Sequence, residues 1–210
     1  MSKIIHLLSG GLDSTILLRD LVKKGHEVEC ITFAYGQMHS KEIGYASRIA
    51  KELNVPHQLI DLGVFNGCAL VGDKQLRNGA SETAIVPNRN MVFLSIAASI
   101  AVQKNIKTIT WAAVQDDVEV FPDCRYESFL KPLNEALSIW GVKVSAPYIE
   151  NKLYKKDLID FAIKEDIKFT DTWSCYRGGD VPCGKCGACL ARAKAMSPSH
   201  MFPPSLKEKI

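Results

Sequence analysis

The chain has 210 residues, of which 47% are hydrophobic and 23% charged, and its formal net charge is +3. This composition predicts one large globular α/β domain, and a charge this small does not by itself indicate nucleic-acid binding. A small polyanionic substrate would suit the charge equally well. The N-terminal apolar run is shorter than a secretory signal, and no stretch reaches the ~18 apolar residues of a membrane helix. We therefore expect a soluble, cytoplasmic protein.

Strands and helices alternate in the first half of the chain. Strands are predicted at KIIHLL, EVECITFAY and HQLIDL, and helices at residues 14–24 and over the spacing Ile43, Ala46, Ala50 and Leu53, with Ser40 as N-cap. Alternation of this kind predicts parallel strands joined by right-handed crossovers. Residues 63–86 have no clear period, which predicts a long loop or lid.

The second half continues the pattern. NMVFLSIAASIAVQKN predicts a helix buried against the sheet, KTITWAAV the next strand, and QDDVEVFPDCR a loop at the carboxyl end of that strand. Apolar positions within residues 129–140 indicate an amphipathic helix. KVSAPYI is a short strand or extended segment, and residues 152–166 form a further predicted helix.

The segment LLSGGLDST lies between the first strand and the first helix. Such a turn presents backbone N–H groups and a positive helix end to an anion; Gly10 and Gly11 allow close approach, and Ser9 and Ser14 add hydroxyls. The lysine of a GxxxxGK[ST] loop and the GxGxxG fingerprint are both absent. We expect Asp13 to order the loop or contact Mg2+, because a carboxylate repels phosphate. An ordinary serine-capped glycine turn is the alternative.

Four of the seven cysteines lie close together in SCYRGGDVPCGKCGACLAR: Cys175, Cys183, Cys186 and Cys189. Four thiolates close a tetrahedral structural site, and zinc is the metal that this ligand type and spacing favour. A ferredoxin-type cluster is the main alternative, but the bacterial pattern needs a further cysteine where the chain has Ala193. Unligated thiols are a third possibility, for which a polar, glycine-rich loop offers no core.

Two other cysteines have separate interpretations. Cys30 alternates within a strand and is expected to be a small core residue. Cys124 lies between Asp123 and Arg125, where a nearby cation could lower its pKa, so it is a candidate reactive thiol.

The stretches LSGGLDST, TFAYGQMHSKE, VPNRN, FPDCR, SCY and CGKCGACLAR, in this order, resemble the 7-cyano-7-deazaguanine synthase family over nearly the whole chain. That family belongs to the ATP pyrophosphatase (PP-loop) superfamily, whose members cleave ATP between its α and β phosphates and adenylate a substrate oxygen. The resemblance implies a ligase of the queuosine pathway that converts 7-carboxy-7-deazaguanine and ammonia to 7-cyano-7-deazaguanine. The adenylated carboxylate and then the adenylated amide are its intermediates, and AMP and pyrophosphate are released.

The resemblance also implies a fold, cofactors and partners. The fold is a parallel-sheet, Rossmann-like nucleotide-binding domain of the adenine nucleotide alpha hydrolase type with a small C-terminal zinc-binding region. The cofactors are ATP, Mg2+ and one structural Zn2+. We expect free ammonia as the nitrogen source and neither nucleic-acid nor membrane partners. A homodimer is a possible assembly. The expected domains are residues 1–170 for ATP, 171–196 for zinc and 197–210 as a flexible tail.

Site residues follow from the matching motifs. ATP is expected to contact Leu8, Ser9, Gly10, Gly11, Leu12, Asp13, Ser14, Thr15, Phe33 and Tyr35. The substrate is expected to contact Gln37, Arg89, Asn90, Asp123 and Arg125, since carboxylates match the N–H edge of a guanine-like ring and guanidinium matches carboxylate or phosphate. The candidate catalytic residues are Asp13, Ser14, His39, Asp123 and Arg125. His39 could instead be a cap or surface residue, and Asp123 and Arg125 a surface salt bridge.

Two departures from the family pattern leave the product open. VPNRN stands in place of VPARN or VPGRN, and AAVQDDVEVF in place of a Gly-rich stretch ending in Tyr. An enzyme stopping at 7-amido-7-deazaguanine would need the same loop and cysteines. A PP-loop tRNA thiolase should carry a basic RNA-binding extension and a reactive cysteine pair, and neither is visible. A nonenzymatic zinc module that binds nucleic acid is the third alternative; the nucleotide loop and modest charge argue against it.

Overall fold

The computed structural model describes residues 1–63, 70 and 85–196. Most of the predicted loop at residues 63–86 and all of the predicted tail at 197–210 lie outside the described residues. Within them, no helix has the length and hydropathy needed to cross a membrane.

A five-stranded parallel sheet forms the centre of the fold, in the order β3-β2-β1-β4-β5. Its strands are β1 (Lys3–Leu7), β2 (Glu27–Ala34), β3 (His57–Asp61), β4 (Thr108–Thr110) and β5 (Lys143–Ser145). The predicted parallel α/β architecture is therefore confirmed. The order reverses between β1 and β4, and in parallel sheets ligands bind beyond the carboxyl ends of the strands at such a point.

Helices flank the sheet and follow the strands closely. They are α1 (Leu12–Lys23), α2 (Lys41–Glu52), α3 (Arg89–Gln103), α4 (Gln115–Val120), α5 (Lys131–Leu137), α6 (Pro147–Glu150), α7 (Lys155–Lys164) and α8 (Gly187–Ala195). Short 3-10 turns lie at Pro122–Cys124, Ser138–Trp140 and Phe169–Asp171, and a π turn at Tyr126–Leu130.

The core consists of two apolar clusters, one on each face of the sheet. Successive residues of β1 alternate between them: Ile4 packs with α1, α2 and α7, and Ile5 packs with α3 and α5. This alternation is the period-two pattern of a strand buried on both faces. Cys30 is buried in the first cluster, as its strand position predicts.

Three local predictions differ from the structure. The predicted loop QDDVEVFPDCR contains α4, whose first turn is held by Asp117 Oδ2 accepting the Val114 N–H at 3.1 Å. The predicted helix at residues 129–140 is a π turn, α5 and a 3-10 turn in succession, and Trp140 is 61% exposed. The segment KVSAPYI divides into β5 and α6, because Pro147 suits the first turn of a helix. Ser40 is the N-cap of α2 as predicted, although its side chain makes no capping hydrogen bond.

Candidate active site

A cavity of about 280 Å³ opens at the carboxyl ends of β1, β2 and β4. The residues predicted from the sequence that line it are Leu8, Ser9, Gly11, Leu12, Asp13, Ser14, Phe33, Tyr35, His39, Arg89 and Asn90. Cys124, the candidate reactive thiol, also lines it. The structure thus brings together residues from all six matched stretches, since Ser174 and Ala188 line the cavity as well. Gly10, Thr15, Gln37, Asp123 and Arg125 are not among the lining residues.

The glycine-rich loop is organised by its own serines. Gly11 N–H donates to Ser9 Oγ at 3.1 Å, and Ser14 Oγ donates to the Gly11 carbonyl at 3.2 Å. The two hydroxyls are also bonded to each other at 3.0 Å. Because Gly11 is the N-cap of α1, the N–H groups of Leu12, Asp13 and Ser14 have no acceptor inside the helix. These N–H groups and the positive helix end give the loop the character of an anion site.

Gly10 is required for the close packing of this loop. Its φ is +82°, and a Cβ there would lie 2.0 Å from the carbonyl oxygen of Glu42 and 2.8 Å from the Ala46 nitrogen. The Gly10 carbonyl accepts the backbone N–H of Trp173 at 3.0 Å. The loop is therefore held between α2 on one side and the segment before the cysteines on the other.

A cation reaches the loop from a distant part of the chain. Lys155, at the first position of α7, donates to Asp13 Oδ2 at 2.6 Å, and both side chains are largely buried, with exposed fractions of 18% and 20%. Burial acts to lower the pKa of Lys155, but the carboxylates of Asp13 and Asp117 outweigh it and raise the pKa overall. Asp13 Oδ1 is buried and has no hydrogen-bond partner among the residues that the structure describes. The loop that lacks a lysine in its own sequence thus has one beside it.

Asp117 is a second cavity residue, and sequence reasoning did not identify it. Burial raises its pKa to about 6, although Lys155 acts in the opposite direction. The sequence pattern predicted only that Asp117 lies in a loop. The sequence offers no capping-box signal here, because the N-cap residue is Val114, whose side chain cannot accept a hydrogen bond; of the two capping-box bonds, only the one from the Val114 N–H to Asp117 Oδ2 forms.

Aromatic rings form one wall of the cavity. Phe33 and Phe93 stack with centroids 4.3 Å apart and planes 7° apart, and Tyr35 lies against Phe93 at 5.5 Å. Arg89 donates from Nη1 to Tyr35 Oη at 2.9 Å, and within the described part of the chain its buried Nε has no hydrogen-bond partner. Burial acts to lower the pKa of Arg89, but the neighbouring Tyr35 and Tyr176 lead the groups that raise it overall. A flat wall beside a buried guanidinium can bind a planar, anionic molecule.

Gln37 and His39 behave differently from each other. Gln37 supports the backbone: its Oε1 accepts the Tyr35 N–H at 2.7 Å, and its Nε2 donates to the Phe33 carbonyl at 3.2 Å. His39 is buried, so the surface alternative for it is wrong. Its Nε2 lies 3.2 Å from Glu42 Oε1, and no described residue forms a hydrogen bond with its Nδ1.

The stretch PDCR contacts α3 and α4, two helices that contribute residues to the cavity wall. Asp123 Oδ2 accepts the backbone N–H of Asn90 at 3.2 Å, whereas Arg125 is exposed and donates from Nε to the Val118 carbonyl at 3.3 Å. The two side chains therefore have different partners. Cys124 is buried, and burial raises its pKa, which opposes the thiolate form that a reactive cysteine needs.

A neutral histidine lies beneath the loop. His6 of β1 is fully buried; its Nε2 is 2.9 Å from the Ser14 carbonyl, and its Nδ1 is 2.9 Å from Thr110 Oγ1. A carbonyl only accepts, so Nε2 carries the hydrogen and donates to it. Burial lowers the pKa of His6 to about 4. This side chain joins β1, β4 and the start of α1 at the point where the sheet order reverses.

The four clustered cysteines converge as the sequence predicts. Their sulfur atoms all lie within 4.8 Å of one another: Cys175, Cys183, Cys186 and Cys189. A single tetrahedral ion at the usual Zn–S distance of about 2.3 Å places its sulfurs roughly 3.8 Å apart, so these positions suit one ion. A four-iron cluster would put several iron and sulfide atoms between the thiolates, which requires a wider set.

The parallel sheet, the reversal point and the glycine-rich loop opening α1 define a doubly wound α/β protein with an anion-type ligand site at the start of its first helix. The chain matches the family described as "Queuosine biosynthesis protein QueC" over residues 3–199, and it belongs to that family. A 7-cyano-7-deazaguanine synthase of Archaeoglobus fulgidus is 40% identical over 99% of this chain and 91% of the relative. One of Methanoregula boonei is 38% identical over 96% and 97%, respectively. These relatives support an enzyme of the synthase class that acts in queuosine biosynthesis.

The fold also resembles a solved structure of a different enzyme. The U34-tRNA thiolase NcsA of Methanococcus maripaludis, which holds a [4Fe-4S] cluster, has a TM-score of 0.52 and 16% identity to this chain. The match covers 83% of this chain and 60% of the thiolase. At this identity the likeness concerns the fold alone.

Proposed function

We propose that this enzyme converts 7-carboxy-7-deazaguanine, ammonia and ATP to 7-cyano-7-deazaguanine. The carboxylate would attack the α phosphate of ATP, release pyrophosphate and form an acyl adenylate, from which ammonia displaces AMP. A second ATP would adenylate the amide oxygen, and loss of AMP would leave the nitrile. The family membership, through relatives named as this synthase, supports the overall reaction.

The single observation that carries the ATP chemistry is the cation beside the glycine-rich loop. The unpaired N–H groups at the start of α1 and the Lys155 ammonium offer complementary charge to pyrophosphate as it leaves. Asp13, whose Oδ1 is buried without a partner, is the residue that would hold a Mg2+ ion carried by ATP. When bound, this ion would neutralise phosphate charge.

For the second substrate, the aromatic wall and Arg89 are the best-suited surfaces. The stacked rings of Phe33 and Phe93 match a flat heterocycle or adenine, and the buried Arg89 can pair with a carboxylate or phosphate. Gln37 would act indirectly by holding the turn after β2, since its amide is bonded to Tyr35 and Phe33. Asp123 would likewise position Asn90 through its backbone.

The four cysteines would hold one structural zinc ion. A closed set of four thiolates leaves no open coordination position, so the ion would stabilise the C-terminal region and take no part in the reaction. Trp173 connects this region to the loop, because its backbone N–H donates to Gly10 and its indole N–H donates to the Cys175 carbonyl at 2.9 Å.

The test is to incubate the purified protein with 7-carboxy-7-deazaguanine, MgATP and ammonium and to identify products by mass spectrometry. We expect AMP, pyrophosphate and the nitrile. Ser14→Ala should slow turnover by roughly 30-fold, equivalent to about 2 kcal/mol, because its hydroxyl organises the loop. Ser40→Ala is the matched control, since the Ser40 side chain makes no capping bond. Formation of ADP would refute adenylation, and accumulation of the amide alone would favour the amide-forming alternative.

A further inference from the structure

Asp117 has a fixed position in the cavity wall, and the proposed binding of ATP and substrate assigns it no role. It lies on α4, directly after the carboxyl end of β4, and lines the cavity together with Trp111 and Phe121. The Val114 N–H donates to its Oδ2 at 3.1 Å, so one carboxylate oxygen anchors the side chain. Asp117 thus lines the cavity from the β4 side, within electrostatic reach of Lys155 and Asp13 at the glycine-rich loop.

The charged and titratable groups around Asp117 come from several elements. Burial is the main cause that raises its pKa to about 6; Lys155 of α7 lowers it, and Asp13 of α1 and Asp116 of α4 raise it. Cys124 and Tyr176 also interact with it electrostatically, and the pKa of each is itself raised by burial. A carboxyl group in this setting can exchange a proton near neutral pH, which an ordinary exposed aspartate does poorly.

The proposed reaction must remove protons from nitrogen at three points. When ammonia attacks the acyl adenylate, the C–N bond forms, the C–O bond to AMP breaks, and nitrogen loses one proton. When the amide oxygen attacks ATP, pyrophosphate leaves and nitrogen loses a proton to give an imidate adenylate. That adenylate then loses its last N–H proton as the C–O bond breaks, yielding C≡N and AMP. Each of these steps needs a base near the nitrogen.

We propose that Asp117 is the catalytic base that accepts protons from the substrate nitrogen during amide and nitrile formation. This inference rests on the proposed function. Two other cavity groups are less suited to this role, because Asp13 is paired with Lys155 at 2.6 Å and His39 is paired with Glu42 at 3.2 Å. Asp117 receives one proton on its carboxylate at each of these steps and returns it to solvent before the next step begins.

Asp117→Asn separates adenylation from proton transfer. Asparagine keeps an oxygen that can accept the Val114 N–H, but it cannot act as the base. Exchange of labelled pyrophosphate into ATP, driven by 7-carboxy-7-deazaguanine without ammonium, measures adenylation alone, and we expect it to stay within about threefold of the unmodified enzyme. Conversion of 7-amido-7-deazaguanine to the nitrile should fall by roughly 10²- to 10³-fold, the usual range for loss of a general base. Glu119→Gln is the control, because Glu119 is exposed on the same short helix.

Starting from the amide also gives a clean pH profile, because ammonium ionisation does not enter. The nitrile-forming rate of the unmodified enzyme should rise with pH through the pKa of Asp117, near 6, and the Asp117→Asn rate should be flat there. Asp117→Glu restores a carboxylate and should recover part of the rate, which a merely structural role would not produce.

Three outcomes would overturn the proposal. Loss of pyrophosphate exchange in Asp117→Asn would assign the residue to ATP or metal binding. The other two are an unchanged rate of nitrile formation in Asp117→Asn, and a folded Asp117→Glu variant whose nitrile-forming rate is no higher than that of Asp117→Asn. Absence of exchange in the unmodified enzyme is a distinct result, since it would remove the proposed function and this inference with it.

Discussion

Replacing Lys155 by glutamine should leave Asp13 as a largely buried, unpaired carboxylate. The pair spans 2.6 Å between Nζ and Oδ2, the other oxygen of Asp13 has no partner in residues 1–63, 70 and 85–196, and the two side chains are only 18% and 20% exposed. Breaking a buried pair costs about 3–5 kcal/mol, and the residual exposure reduces our expectation to about 2–3 kcal/mol of unfolding free energy. Asp13→Asn in the same chain removes the stranded charge, so the double variant should be more stable than Lys155→Gln by roughly 1–2 kcal/mol.

Urea unfolding of the metal-loaded, nucleotide-free protein at neutral pH measures these values, provided the slope of the transition is unchanged. Lys156→Gln is the matched control, because Lys156 is exposed at the next position of α7 and should change stability by less than about 0.5 kcal/mol. A similarly small effect for Lys155→Gln, or a double variant no more stable than the single, would refute the idea that the ammonium neutralises Asp13. The Lys155 variant should also lower turnover by about 10²-fold through lost stabilisation of departing pyrophosphate.

Three further outcomes follow from the geometry around the loop. Gly10→Ala should destabilise the fold far more than Gly25→Ala, because both have positive φ but only the first places a Cβ within 2.0 Å of a backbone oxygen; comparable unfolding midpoints would contradict this. The folded pKa of His6 is lowered to about 4, so the stability that it contributes is present above its unfolded pKa of ~6.5 and lost as pH falls through 4. The unfolding free energy of the unmodified protein minus that of His6→Gln should therefore drop by on the order of 3 kcal/mol between pH 6.5 and 4, and a constant difference would exclude the neutral buried imidazole. Removal of the metal with a chelator should weaken ATP binding measured by calorimetry, because Trp173 joins the cysteine region to the loop; unchanged affinity at full metal loss would separate the two sites.

The strands and the glycine-rich loop were predictable because their signals are local. The alternation of Ile4 and Ile5 between two core clusters and the glycine turn before α1 depend on residues adjacent in the sequence. The four cysteines were predictable for a related reason, since metal ligation imposes its own spacing. Patterns of this kind can be recognised from neighbouring residues without knowledge of the tertiary fold.

Lys155 could not be found in this way, because it lies 142 residues from its partner Asp13. Only the crossover that brings α7 beside α1 creates the pair. One weak signal existed: Lys155 and Lys156 begin a helix, where the positive end of the dipole disfavours cations. Two lysines at that position suggest that at least one of them forms an ion pair with a residue outside the helix. The partners of Gln37 were likewise not predictable, since only the fold shows that its amide bonds to the backbone of Phe33 and Tyr35.

The glycine-rich loop and the four-cysteine cluster form one structural unit, because the segment that begins the cluster packs on the turn before α2. Gly178 has φ +62° and no room for a Cβ, which would lie 2.2 Å from the Met38 carbonyl oxygen, so the chain before the second cysteine packs directly on the turn that carries His39. Lys41 donates to the Gly179 carbonyl at 2.9 Å, which fixes the start of α2 to the same segment. Since α2 in turn encloses Gly10, a metal held by the cysteines would stabilise both walls of the anion site. Such a metal would act on the proposed reaction through the packing of the glycine-rich loop and not through contact with the reacting atoms.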